Sequence, residues 1–81
     1  MIVIHVTDDG AKYGKHLHDP NSLDELVMCA LMQRMGSRER IFETLCQELF
    51  HIPVSDVASA VLALEKRGLL MCIDTEGPVF S

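Results

Sequence analysis

Residues 54–70, VSDVASAVLALEKRGLL, constrain the fold more than any other part of the chain. Ser55 and Asp56 make a helix start, Val57, Val61 and Leu64 recur at helical spacing, and Gly68 supplies a stop. Asp56 suits the positive end of that helix dipole, and Lys66 and Arg67 suit the negative end. Upstream, RERIFETLCQELFHIP reads as a second amphipathic helix closed by Pro53, so the pair forms a helix, a tight turn and a helix. Downstream, residues 69–73 read as a strand, 74–77 as a turn, and 78–80 as a short edge strand where Pro78 is tolerated. With Val57, Val61 and Leu64 facing inward, Ser55, Asp56, Ala58, Ser59 and Leu62 form the outward set.

The N-terminal half supplies the elements that must cover this pair. MIVIHV is β-branched and apolar, and Asp9-Gly10 is a strong hairpin signal. A two-residue turn there pairs Val6 with Tyr13, Ile4 with Lys15 and Ile2 with Leu17. One face of the hairpin then carries Ile2, Ile4, Val6, Tyr13 and Leu17, and the other carries Val3, His5, His16 and His18. His5, His16 and His18 are weak candidates for a metal site, since His16 and His18 share a strand face. The plainer reading is a solvated face, and neither metal nor cofactor is expected.

Ser22-Leu23-Asp24-Glu25 is a capping box that opens a helix running to about Met35 and ending at Gly36. Leu23, Leu26, Val27, Ala30 and Leu31 form its core stripe, and Met28, Met32 and Met35 add a second apolar line. A helix apolar over so much of its circumference must be covered on more than one side. Either the hairpin and wing cover it, or the methionines form a dimer or partner surface suited to adaptable contacts. Ser37 caps the next helix, with Ile41, Phe42, Leu45, Cys46, Leu49 and Phe50 as its apolar side. Arg38, Glu39, Glu43, Gln47 and Glu48 make its wet side. Arg34, Arg38 and Arg40 are the densest basic group, diluted by Glu39 and Glu43.

Composition narrows the class. Eighty-one residues suffice for one domain, 1–81, with a single core. The absence of Trp makes that core aliphatic and Met-rich. The longest apolar run, residues 26–32, is too short for a membrane span. MIVIHV lacks the basic flank and cleavage motif of a signal peptide, so a soluble cytoplasmic protein with no membrane partner is expected. Cys29, Cys46 and Cys72 are odd in number and far apart, which fits thiols in a reducing compartment. A net charge of −5 argues against a polyanionic partner unless the basic residues gather on one face.

Over residues 22–80 these features resemble the winged helix-turn-helix superfamily. The resemblance implies an α+β fold, a three-helix core with a small antiparallel sheet formed by the N-terminal strand or hairpin and the C-terminal wing. It also makes the helix beginning at Val54 the recognition helix. In DNA-binding members, polar or basic side chains of that helix reach base edges and a basic wing touches the backbone. A DNA-binding transcriptional regulator would here use Ser55, Ser59, Lys66, Arg67, Arg38 and Arg40. However, the outward set contains no Arg, Lys, Asn or Gln, Asp56 would meet phosphates with like charge, and the wing turn carries Asp74 and Glu76. Since duplex binding draws on phosphate neutralisation, the residues favour a protein-protein or peptide interaction module, a regulatory adaptor or inhibitor. Its partner, a second copy of the chain included, would meet Ala58, Ser59 and Leu62, and also Met28, Met32 and Met35. The order of elements is also similar to small domains that recognise leader peptides, in which a peptide adds as a strand beside the third helix. Size and acidity fit the small inhibitors common among phage and mobile elements. No nucleophile–base arrangement, paired carboxylates on a helix face, phosphate-cradling loop or CxxC motif is present, so an enzyme is not expected.

Overall fold

The computed structural model describes residues 1–33 and 38–74. β1 (Ile2–Val6) is followed by α1 (Asp8–Lys15), α2 (Leu23–Met32), β2 (Glu39–Ile41), α3 (Phe42–Glu48), α4 (Val54–Lys66) and β3 (Leu70–Asp74). The strands form one antiparallel sheet in the order β2-β1-β3, which puts the N-terminal strand in the middle. Ile4 and Val6 of β1 are buried against the helices, as expected for one face of a β-branched strand.

The second strand of the expected hairpin is a helix. Thr7 caps α1 by accepting a hydrogen bond from the Gly10 N–H (3.0 Å), Asp8 and Asp9 occupy its first turn, and Lys12 and Lys15 occupy its last. Each placement favours the helix dipole, so the Thr-Asp-Asp start competes locally with the Asp-Gly hairpin signal. Gly10 instead serves close packing, because a Cβ there would overlap the Leu69 carbonyl oxygen. The Thr7 hydroxyl donates to the Gly68 carbonyl (2.7 Å), tying the start of α1 to the turn after α4. The loss of the hairpin also dissolves the histidine face. His5 remains on β1, His16 caps the end of α1, and His18 lies beyond it.

Ser22 opens α2 as expected, its Oγ accepting from the Glu25 N–H (3.3 Å), while Glu25 Oε1 accepts from the Asn21 N–H (2.6 Å). The described helix ends at Met32 with Gln33 as its C-cap; Met35, Gly36 and the expected cap Ser37 lie outside the described residues. α2 is covered on two sides, by α4 and by α1. This explains its broad apolar circumference, with α1 in the covering role expected of the hairpin.

The helix expected from Ser37 is shorter. Residues 39–41 pair with β1 as β2, with Val3 opposite Ile41 and His5 opposite Glu39. The strand satisfies the second edge of β1, a tertiary gain that overrides the helical spacing of Ile41. Leu45 of α3 and Leu49 at its C-cap reach the core, whereas Phe50, expected there, is 85% exposed. α4 follows the sequence reading, and β3 is displaced by one residue from the expected 69–73, so that Asp74 lies in the strand and not in the turn. Val57, Val61 and Leu64 are buried, Gly68 adopts φ +79°, and the chain reverses into β3. The helix begins at Val54 after Pro53 and takes no side-chain cap from Ser55. The edge strand expected at 78–80 and Glu76 of the wing turn lie outside the described residues. No helix among the described residues is long and apolar enough to cross a membrane.

Candidate functional site

Two residues of the outward set read from residues 54–70, Ala58 and Leu62, help to wall an apolar groove. Ser55, Asp56, Ser59 and Leu62 are exposed and Ala58 is half-buried. Leu62 is 55% exposed, one of two large apolar side chains that α4 leaves in water, the other being Val54 at its start. Ala58 and Leu62, one helical turn apart, line a depression of about 190 Å³ together with Val61, Ile2, Phe42 and Cys72. No polar group contributes to its walls. Ile2, Phe42 and Cys72 come from three other elements, so sequence order alone could not assign them to this site.

β3 forms an edge of the sheet among the described residues. The Thr7 N–H to Leu69 carbonyl bond (3.1 Å) fixes the parity of the ladder. Met71 and Ile73 therefore turn their backbone polar groups to β1, and Leu70, Cys72 and Asp74 turn theirs outward. The outward Cys72 N–H is held by Glu65, whose Oε2 accepts it at 3.1 Å. The spacing of Ala58, Leu62 and Glu65 at i, i+4 and i+7 was the available signal that Glu65 borders the same face. Burial is the main cause that raises the Cys72 thiol pKa, with the Glu65 charge adding to it. Burial likewise raises Cys46, helped by Glu43.

The methionine line divides. Met28 is fully buried in the core and offers no partner surface, because α1 and α4 both pack on α2. Met32 is half-buried, packed on the core, and lines a cleft with Ala11, Lys12, Lys15, Asp8 and Arg38. Met35 lies outside the described residues.

The basic residues offered for DNA are held at separate places. Arg38 is bonded to Asp8, and this contact holds the Asp8 carboxyl below its ordinary pKa. The Arg40 side chain is only 9% exposed; its Nη2 lies 2.7 Å from Glu48 Oε1 and its Nη1 donates to the Ala30 carbonyl (3.4 Å). The Arg67 guanidinium sits 4.9 Å from the centre of the Tyr13 ring. Lys66 is exposed at the far end of α4, and Arg34 lies outside the described residues. Among the described residues no group of three or more His, Cys, Asp or Glu side chains is placed to hold a metal ion.

A second apolar surface is the sheet face turned away from the helices. Register places Ile41, Val3 and Ile73 in one row and Glu39, His5 and Met71 in the next. Ile41, Ile73 and Met71 are exposed there, so apolar side chains flank the sheet on both sides of β3. Comparison with known protein families, curated proteins and solved structures finds no match.

Proposed function

We propose that this chain is a winged-helix variant that binds a protein or peptide partner through the groove beside α4. The order α2, β2, α3, α4, β3 supports the winged-helix reading, with β1 inserted between the two strands that flank it. The observation that carries the function is the pairing of an exposed Leu62 with a wholly apolar groove on the helix that this architecture uses for recognition. The partner is an apolar or extended segment, a second copy of the chain included, and the role is that of a regulatory adaptor or inhibitor. Dispersed, unpaired cysteines support a cytoplasmic setting.

The electrostatics weigh in the same direction. A duplex binder gains affinity from each phosphate it neutralises. Arg38, Arg40 and Arg67 are engaged by Asp8, Glu48 and Tyr13, so recruiting them to phosphates would break contacts within the protein. Ser55, Ser59 and Asp56 on the outer face of α4 bring no positive charge.

Affinity capture with the wild-type chain and with Leu62→Glu tests this function. A partner retained by the wild type and lost by the variant, with an unchanged melting curve, is the expected result. A salt-dependent shift of duplex DNA at physiological ionic strength, unaffected by Leu62→Glu, would replace it with the transcription-factor reading.

A further inference from the structure

We propose that the depression between the C-terminal ends of α1 and α2 binds one Cu(I) ion through Cys29, Met32 and His18. This site is separate from the α4 groove and does not rest on the partner reading. Gly14, Leu17, His18, Cys29, Met32 and Gln33 line a space of about 220 Å³. Cys29 and Met32 stand three residues apart on α2, so both sulfur-bearing side chains leave the same helix face. Gly14 makes room for the thioether, because a Cβ there would lie 2.5 Å from Met32 Cγ and 2.9 Å from its Sδ. Met32 therefore lies against the backbone of α1, beside the segment that carries His18.

The electrostatics favour a cation. Both helices end here, α1 with His16 as its cap and α2 with Gln33, and each presents the negative end of its dipole. α1 meets its own dipole with Lys12 and Lys15, which line the neighbouring cleft with Asp8 and Arg38, whereas α2 has no basic side chain in its last turn. The donor set then selects the ion. No carboxylate lines the depression among the described residues, which disfavours Mg²⁺ and Ca²⁺, and a thioether is not a usual ligand of Zn²⁺. Thiolate, thioether and imidazole together suit Cu(I). Coordination sends the Cys29 thiol proton to solvent. A monovalent ion on one thiolate leaves no net charge beside Leu17, and a divalent ion would leave one.

Titrating the full chain, isotope-labelled at methionine methyls and histidine rings, with Cu(I) under argon tests this by NMR. The Met32 methyl and His18 ring signals are expected to move together and to saturate at one equivalent. Met28, sealed in the core, and Met71, on the sheet face turned away from the helices, should not move. In competition with a chromogenic Cu(I) chelator, Cys29→Ser and Met32→Leu should each weaken binding by about tenfold or more, with unchanged melting curves. Equimolar Zn²⁺ should leave the bound copper in place. Copper binding without a shift at Met32 or His18 overturns the site, and so does wild-type affinity in Cys29→Ser, which would put the ion on Cys46 or Cys72. Displacement by equimolar Zn²⁺ overturns the assignment to Cu(I).

Discussion

Met28 and Leu62 carry the same local signal, a large apolar side chain on a helix among apolar neighbours, and they end in opposite surroundings. Met28 is sealed in the core, so Met28→Ala should cost about 2–5 kcal/mol, measured by urea unfolding. Leu62 stands in solvent, so Leu62→Glu should change stability by no more than about 0.5 kcal/mol while removing partner binding. Asp8 shows how one ion pair spends a cation that could otherwise serve a ligand. The Arg38 hydrogen bond and charge lower its pKa in the folded chain. The stability it contributes is therefore fully present above the ordinary carboxylate range and is lost as pH falls through the lowered value. Asp8→Asn should flatten that part of the acid limb in a plot of unfolding free energy against pH.

At the scale of elements, α1 is the instructive case. Residues 7–10, Thr-Asp-Asp-Gly, carry both a hairpin turn and a helix start. Local propensity does not separate them. What decides is that a helix here covers the flank of α2 and brings Thr7 against the carbonyls that follow α4. Thr7→Ala should cost about 1 kcal/mol through the lost cap, and more through the lost bond to Gly68. Gly10→Ala should be more damaging, although alanine is the better helix former by about 1 kcal/mol. The added carbon meets the Leu69 backbone, which cannot swing aside as a side chain could. A lower melting temperature followed by circular dichroism is the expected result for both. The division of residues 38–50 into β2 and α3 has the same origin: β1 needs a second neighbour, and no pattern internal to RERIFETL states that need.

For the molecule as a whole, the N-terminal strand is the keystone of the sheet. β1 bonds β2 on one side and β3 on the other, so a defect there reaches strands from the middle and from the C-terminal part of the described chain at once. His5→Pro removes the N–H that His5 directs toward Met71 in the central strand. It should abolish cooperative unfolding altogether, measured by tryptophan-free probes such as amide circular dichroism. The equivalent change at an exposed position of β2, Glu39→Pro, should be milder because that strand is an edge.

The amino-acid sequence alone determined α4, its inward and outward faces, the Gly68 stop and the strand after it. Each of these is encoded within one turn of helix or a few residues of strand, where periodicity and capping act. It also determined that the outward residues Ser55, Asp56, Ala58, Ser59 and Leu62 carry no positive charge, since residue charge needs no coordinates to be read. Only the tertiary structure decided that the second element is a helix, that Met28 is core and Phe50 is not, and that Ile2, Phe42, Cys72 and Glu65 border one groove. Those outcomes depend on which surfaces compete to cover α2 and to complete the hydrogen bonding of β1, and that competition is settled between segments distant in the chain.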